Sequence, residues 1–190
     1  MRRVAIIVGH ARQGTYCEAL GHAYKRGAEA GGAAASLFVT SRMRFDPVLH
    51  EGFERIQPLE PDLGAAREAL HAADHVVIIF PLWLGTLPSL LKAFLERVLQ
   101  PDLVEPAKTG KFVQVLKGKS ARVIVTMGMP AFVYRWWFGA HAVRMLKHNI
   151  LGFMGVKPVA TSIFGSIEGI GQEGRARRLA EVEAMGRRIA

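Results

Sequence analysis

The sequence predicts an α/β protein built on a doubly wound parallel sheet, and two observations carry this prediction. Short apolar runs without polar alternation, such as residues 76–80 (VVIIF), are typical of strands that are covered on both faces. These runs alternate with segments of helical period, in the order βαβαβαβαβα. At 190 residues and 50% hydrophobic composition, the chain suits one domain with a substantial core. We therefore predict a single domain spanning residues 1–190.

The boundaries of the elements follow from local signals. The predicted strands are residues 4–8, 35–39, 76–80, 122–126 and 159–164. The predicted helices are residues 15–30, 62–73, 88–99, 133–150 and a last one from about 173. Gly31 and Gly32 give a strong stop, Asp62 can cap a helix, and Pro88 suits a first helical turn. Five strands at this length favour a three-layer sandwich of the flavodoxin-like kind, with strand order 2-1-3-4-5.

Two segments between these elements carry further expectations. Residues 41–61 contain three prolines and are predicted to be irregular, and residues 100–118 are predicted to form a loop. The helix after Pro88 carries a single apolar stripe at three- and four-residue spacing, which indicates core or a subunit interface. The stripe consists of Leu87, Leu90, Leu91, Phe94, Leu95, Val98 and Leu99.

The formal net charge of +9 raises the possibility of an anionic partner. The basic residues are scattered, with modest concentrations at residues 108–122 and at the C-terminus. Neither stretch interleaves aromatic with basic residues as single-strand binders do. We expect the C-terminal arginines to form a solvated helix face. They are Arg175, Arg177, Arg178, Arg187 and Arg188.

Cysteine content and hydropathy limit the class of protein further. The single cysteine, Cys17, excludes an internal disulfide framework and a cysteine-based metal cluster. The apolar runs are shorter than the roughly 20 residues needed to span a bilayer, and the N-terminal run is short for a signal peptide. We expect a cytoplasmic protein without a metal site.

Three loops should meet at the carboxyl edge of the sheet, where ligands of open α/β sheets bind. They are residues 9–16, 81–88 and 127–139. The first leads into a helix and carries Arg12, so free amides and the helix dipole could bind a phosphate there. An ordinary strand-to-helix turn is the alternative. Neither a Walker A sequence nor a GxGxxG fingerprint is present, which disfavours a P-loop or dinucleotide-binding domain.

The second and third loops supply aromatic and proton-exchanging groups. Trp83 offers a flat wall and Gly85 a close backbone approach, both suited to a planar heterocycle. The third loop contains an aromatic run, most of which we expect to pack in the core. The run is Phe132, Tyr134, Trp136, Trp137 and Phe138. Tyr134 and His141 could exchange protons near such a ligand, although a lone histidine can also be structural.

The second loop and its helix, PLWLGTLP followed by LKAFLERVL, resemble the flavodoxin-like NAD(P)H:quinone oxidoreductases. In the first loop of that family a histidine is followed five residues on by a Ser-Phe-Asn-like triplet, and this chain has His10 and Thr15-Tyr16-Cys17. Residues 45–49 (FDPVL) and 152–156 (GFMGV) resemble two further family segments. The likeness extends over nearly the whole chain.

The resemblance implies a set of site residues. The flavin phosphate region would be held by His10, Thr15, Tyr16 and Cys17. The isoalloxazine ring would be lined by Pro81, Leu82, Trp83, Leu84, Gly85, Thr126, Met127, Gly128 and Met129. Tyr134 falls on the family's active-site tyrosine, and His141 lies one place beyond its partner histidine in the mammalian type. The Met127–Met129 turn departs from the Gly-Gly form common in the family.

The resemblance also implies an activity: two-electron hydride transfer from NADH or NADPH through FMN or FAD, with FMN the first choice, to a quinone-like acceptor. The chemistry belongs mainly to the cofactor. It further implies a symmetric homodimer with the loops after strands 3 and 4 near its interface. Two alternatives remain: a regulatory flavoprotein subunit of a potassium efflux transporter, and a basic nucleic-acid-binding α/β domain.

Overall fold

The computed structural model describes residues 1–52, 54–100 and 114–189 and contains a five-stranded parallel sheet. Its strand order, β2-β1-β3-β4-β5, confirms the predicted flavodoxin-like order 2-1-3-4-5. The strands are β1 Arg3–Val8, β2 Ala34–Val39, β3 His75–Pro81, β4 Ser120–Thr126 and β5 Val159–Phe164. The predicted loop 100–118 lies mostly outside the described residues.

The parallel register aligns the carboxyl ends of the central strands. Val8 pairs with Ile79, and Pro81 pairs with Thr126. The chain turns that follow β1, β3 and β4 therefore leave the sheet at the same edge. This alignment is what allows residues far apart in the sequence to form one site.

Within the described residues, five α-helices flank the sheet. They are α1 Tyr16–Ala30, α2 Pro61–Ala72, α3 Ser89–Val98, α4 His141–Arg144 and α5 Gly171–Arg188. A short 3₁₀ turn follows β2 at Thr40–Arg42. One apolar cluster joins α1 and α5 to one face of the sheet, and another joins α2, α3 and α4 to the other. The three layers are those predicted, and five of the seven residues of the stripe in and around α3 are buried in the core.

The backbones of α1 and α5 approach each other closely where the two helices cross. A Cβ atom added to Gly27 would lie 1.9 Å from the carbonyl oxygen of Glu183, and one on Gly186 would lie 2.2 Å from that of Tyr24. Only glycine fits at these two crossings. The arginines of α5 remain exposed, as expected from the sequence.

Three boundary predictions were wrong for local reasons. The predicted helix 133–150 is interrupted, since Gly139 and Ala140 both adopt left-handed backbone conformations, with φ of 65° and 49°. Asp62 does not cap α2; its carboxylate accepts the Arg44 amide at 2.7 Å instead. Pro88 precedes α3 as its N-cap rather than opening it. Within the described residues, no helix is both long and apolar enough to cross a membrane.

Candidate functional site

The loops after β1 and β3 contact each other at the carboxyl edge of the sheet, next to the last residue of β4. The rings of His10 and Trp83 meet edge to face, with centroids 5.0 Å apart and an interplanar angle of 78°. The Leu82 amide donates to the Thr126 carbonyl at 2.8 Å. The Cys17 sulfur lies 3.3 Å from the Thr126 hydroxyl. The structure thus brings the first two predicted loops together beside the end of β4, from which the third loop leaves.

The first loop ends in a helix N-terminus with available donors. The Thr15 hydroxyl accepts the Glu18 amide at 3.4 Å and caps α1. The first backbone bond of the helix runs from the Ala19 amide to the Thr15 carbonyl, so the amides of Tyr16 and Cys17 precede it. Such first-turn amides, together with the helix dipole, favour an anion.

A carboxylate inside this loop holds its shape. Glu18 is buried, and its Oε2 accepts the Gly14 amide at 2.7 Å while its Oε1 accepts the Arg42 guanidinium at 2.8 Å. Burial favours a raised pKa for Glu18, but the bonds from Arg42 and Gly14 outweigh it and the pKa is lowered. The sequence analysis missed this pair, although Thr15 and Glu18 have the three-residue spacing of a capping box.

His10 is held as a neutral ring between the first two loops. Its Nδ1 accepts the Arg12 amide at 2.9 Å, so the proton of the neutral ring resides on Nε2. Burial, with the Arg12 charge second, lowers the pKa of His10. The Thr40 hydroxyl donates to the His10 carbonyl at 3.2 Å, which links the loop to the turn after β2.

The second loop contains a tight two-residue hairpin. Trp83 and Thr86 exchange backbone hydrogen bonds of 3.0 and 2.9 Å, and the turn residues Leu84 and Gly85 have φ of 48° and 77°. Two left-handed residues define a type I′ turn. The amides of Trp83 and Thr86 close the turn and that of Leu82 is bonded to Thr126. The amides of Leu84 and Gly85 are therefore the ones that face away from the hairpin.

A fourth loop, residues 165–170, completes the edge and was missed by the sequence analysis. The Ser166 amide donates to the Met129 carbonyl at 3.0 Å, and the Ile167 amide donates to the Met127 carbonyl at 3.2 Å. These bonds hold the turn at Met127–Met129 against the end of β5. The Glu168 carboxylate lies beside Gly128, about 3.5 Å from where a Cβ would stand.

Tyr134 lies in the core beneath the third loop. Its side chain is 1% exposed and packs in the same apolar cluster as Leu87 and Met127. Within the described residues, no group has hydrogen-bond geometry to its hydroxyl. Burial raises the pKa of Tyr134, and the nearby amides of Ala142 and Val143 oppose this only in part. A buried hydroxyl without a partner is costly and needs an explanation.

The structure does not bring His141 to Tyr134. His141 is exposed at the start of α4, and its ring packs over Gly139, where a Cβ would meet its Nε2 at 2.9 Å. The rest of the aromatic run also departs from expectation. Phe132, Trp136, Trp137 and Phe138 are 51–84% exposed rather than core residues. Tyr134 alone of that run is buried.

The side chains of two further predicted site residues, Cys17 and Tyr16, contact other parts of the protein. The Cys17 thiol is buried against Thr126, and burial raises its pKa to about 11, so it remains protonated. Its amide, but not its side chain, is placed for a ligand. The Tyr16 ring lies 5.8 Å under the guanidinium of Arg175, and its hydroxyl donates to the Arg175 carbonyl at 3.1 Å. Tyr16 thereby fixes the start of α5 against the first loop.

The family-like segment at residues 45–49 is fixed by α3. The fully buried guanidinium of Arg97 donates to the Asp46 carbonyl, to the Pro58 carbonyl at 2.8 Å and to Glu60 at 2.9 Å. An arginine with these bonds ties the irregular segment after β2 to the helix that follows the second loop.

These features fit a planar ring with a phosphate tail. The first-turn amides of α1 suit the phosphate, and the amides of Leu84 and Gly85 suit the polar edge of a ring. The buried hydroxyl of Tyr134, which lacks a partner of good hydrogen-bond geometry among the described residues, could accept or donate a bond to such a ligand. A parallel sheet in the order 2-1-3-4-5 with a ligand site at its carboxyl edge is typical of the flavodoxin-like class.

The chain belongs to the family described as having a flavodoxin-like fold, whose model matches residues 2–188. Among curated proteins it is similar to an uncharacterized NAD(P)H oxidoreductase of Haemophilus influenzae. The two are 27% identical over 140 residues, which is 70% of this chain and 68% of that protein.

Solved structures share the fold along nearly the full chain. Smu.1420 from Streptococcus mutans superposes with a TM-score of 0.81 at 25% identity, covering 98% of this chain and 99% of that one. An NAD(P)H:quinone oxidoreductase from Methanothermobacter marburgensis gives 0.80 at 21% identity, with 98% and 95% covered. An FMN-dependent NADH-azoreductase from Bacillus anthracis, in complex with FMN, gives 0.71 at 19% identity, with both chains fully covered.

Proposed function

We propose that the protein is a flavin-dependent NAD(P)H oxidoreductase that binds FMN and reduces quinone-like acceptors. The observation that carries this proposal is the contact of His10, in the loop that leads into α1, with Trp83 of the Trp83–Thr86 hairpin at one edge of the sheet. That arrangement offers anion donors and ring donors side by side. The Haemophilus relative and the two neighbours named for oxidoreductase activity support it.

The phosphate would be held by the first turn of α1. The amides of Tyr16 and Cys17 and the hydroxyl of Thr15 are the donors, and the loop is already ordered by the Glu18 contact to Gly14. The negative charge of Glu18 is offset by its ion pair with Arg42 at 2.8 Å. A loop ordered before binding loses little conformational entropy when the ligand arrives.

The ring would be held by backbone and shape. The amides of Leu84 and Gly85 would donate to its polar edge, while Trp83, fixed by His10, would form a wall. Pro81 has no amide proton, and the Leu82 amide is already bonded to Thr126. Leu82, Thr126 and the turn at Met127–Met129 would therefore contribute surface rather than side-chain hydrogen bonds.

A bound flavin supplies the hydride exchange between NAD(P)H and the acceptor. The part of the polypeptide is to orient both partners and to stabilise negative charge. In this proposal the Tyr134 hydroxyl would donate a hydrogen bond to such charge, and its raised pKa keeps it protonated. We propose Tyr134, rather than the exposed His141, as the catalytic residue.

The proposal is tested by an absorbance spectrum of the purified protein and mass analysis of any released cofactor. We expect flavin bands and release of FMN, with turnover of NADH or NADPH in the presence of a soluble quinone. Release of FAD would correct the choice of flavin and keep the activity. A colourless protein that binds neither FMN nor FAD would refute the proposal.

A further inference from the structure

A cavity lies at the amino edge of the sheet, at the opposite end of the strands from the candidate functional site. It has a volume of about 470 Å³, within the range typical of small-molecule sites. Residues that precede or begin β1, β3, β4 and β5 bound it. Its polar lining comprises Arg2, Asp74, His75, Ser120 and Lys157. We call it the amino-edge cavity. The implied dimer interface is expected near the loops after β3 and β4, which leave the other edge of the sheet.

A chain of three hydrogen-bonded side chains leads from the core to this cavity. The His75 ring is 3% exposed, and its Nδ1 lies 2.7 Å from the Ser120 hydroxyl while its Nε2 lies 3.1 Å from the Tyr24 hydroxyl. A neutral imidazole carries a proton on one nitrogen only. When Tyr24 donates to Nε2, Nδ1 donates to Ser120, and the Ser120 proton is left for an acceptor in the cavity. The chain can thus present a hydroxyl donor to a ligand.

The environment of His75 favours ligand binding over acid–base catalysis. Burial, followed by the charges of Arg122 and Arg2, lowers the pKa of His75 to about 4. The ring is therefore neutral near pH 7 and is too weak a base to activate the Ser120 hydroxyl. The influence of both arginines on His75 also shows that positive charge lies beside the cavity.

The rim of the amino-edge cavity carries two cations and one carboxylate. Arg2 and Lys157 are exposed, and neither side chain forms an ion pair within the part of the chain that the structure describes. Asp74 Oδ2 accepts the Arg3 amide at 2.8 Å, and its Oδ1 can accept a further donor. Guanidinium and ammonium groups bind phosphate, whereas a carboxylate accepts hydrogen bonds from hydroxyl groups.

The backbone of the rim is fixed before any ligand binds. The Ser120 amide donates to the Asp74 carbonyl at 3.1 Å, and the Lys157 amide donates to the Lys119 carbonyl at 2.9 Å. These bonds hold the starts of β3 and β4 and the residue before Pro158 beside one another. A rim that is already ordered loses little conformational entropy on binding.

We propose that the amino-edge cavity binds a small hydroxylated phosphate ester, such as a sugar phosphate. Arg2 and Lys157 would hold the phosphate, the Ser120 hydroxyl would donate to it, and Asp74 would accept hydroxyl groups of the ester. The polar lining suits such a ligand better than an apolar one, and inorganic phosphate would fill only a small part of the volume. This inference does not depend on the proposed flavin chemistry, because the two sites lie at opposite edges of the sheet.

The test is a titration of the isotope-labelled full-length protein with ribose phosphate, the sugar phosphorylated at its terminal carbon, followed in amide NMR spectra. We expect saturable shifts of the Gly118 and Ser120 signals, and weaker binding of inorganic phosphate at the same cavity. Ribose, and sodium chloride at equal ionic strength, should leave these signals nearly unchanged. Because the signals are resolved by residue, phosphate binding at the first turn of α1 is seen separately at Tyr16 and Cys17.

A charge-matched control separates this cavity from general basicity. Arg2→Gln with Lys157→Gln should raise the dissociation constant for ribose phosphate at least tenfold. Arg44→Gln with Arg177→Gln removes the same charge from exposed positions elsewhere and should leave it nearly unchanged.

Equal weakening in the two pairs of variants would overturn the proposal. Shifts confined to the first turn of α1 would overturn it as well, as would the absence of any shift at Gly118 and Ser120. Inorganic phosphate that binds the cavity as tightly as ribose phosphate would refute the assignment to an ester, because the hydroxyl contacts to Asp74 would then contribute nothing.

Discussion

Replacing Tyr134 by phenylalanine should stabilise the ligand-free protein. The ring is 1% exposed and its hydroxyl lacks a hydrogen-bond partner within the described residues. A buried polar group left unsatisfied costs about 1–3 kcal/mol, and phenylalanine retains the packing of the ring. We expect the free energy of unfolding to rise by about 1–2 kcal/mol. For a chain of this size that corresponds to about 2–8 °C in Tm.

The measurement is urea and thermal unfolding of the flavin-free protein, with Tyr24→Phe as the matched control. Tyr24 is equally buried, but its hydroxyl lies 3.1 Å from His75 Nε2. Removing that hydroxyl deletes a hydrogen bond and leaves a buried imidazole nitrogen without it. Tyr24→Phe should therefore lower stability by about 1 kcal/mol or more, opposite in sign to Tyr134→Phe.

The same substitution should impair function although it stabilises the ligand-free protein. Tyr134→Phe should retain bound flavin and slow quinone reduction, because the lost hydroxyl would have stabilised developing charge. A destabilised ligand-free variant would show that the hydroxyl has a partner in the fold. A more stable variant with unchanged turnover would remove Tyr134 from the mechanism.

Two further predictions concern pH and turn geometry. Burial lowers the pKa of His75 from 6.5 to about 4, so its contribution to stability is complete above pH 6.5 and is lost as the pH falls toward 4. Between pH 7 and pH 5 the loss is about 2 kcal/mol. This loss should disappear in His75→Gln but persist in His148→Gln when the free energy of unfolding is measured at pH 7 and at pH 5. Equal pH dependence of the two variants would contradict the assignment. Leu84→Asn should raise stability by up to about 1 kcal/mol, because Leu84 is fully exposed with φ of 48°. Thr86→Asn, which relieves no such strain, should not, and a loss in Leu84→Asn would mean that the leucine side chain packs.

The strands and their order could be predicted from the sequence because their signals are local and strong. Apolar runs without alternation place β1, β3 and β4 in the centre, and the glycines after Ala30 end α1 where expected. The break between Trp137 and His141 was not predicted. Gly139 gave a hint, but the left-handed conformation of Ala140 is imposed by the tertiary fold and has no signal of its own.

The loops of the site were predicted, but the contacts that hold them in place were not, because those contacts have no local signal in the sequence. Strand-to-helix loops have strong local signals, so the three loops could be found, whereas the hairpin at Trp83 was not predicted. The clamp of Glu18 by Arg42 joins residues 24 positions apart, and the support of Met129 by Ser166 joins residues 37 apart. The exposure of Trp136 and Trp137 could not be predicted from the sequence, because the same aromatic residue types occur in cores and on surfaces.

The carboxylate of Glu18 within the first loop has a consequence for how the site behaves when empty. The carboxylate accepts the hydrogen bond of the Gly14 amide, as a bound anion otherwise would. This donor of the first loop therefore has a partner before any ligand binds. The same contact makes the loop sensitive to acid, since protonation of Glu18 would weaken its bond to Arg42. The loop should therefore lose its ordered shape once the pH falls below the usual range of a glutamate carboxyl, and ligand retention should decline with it.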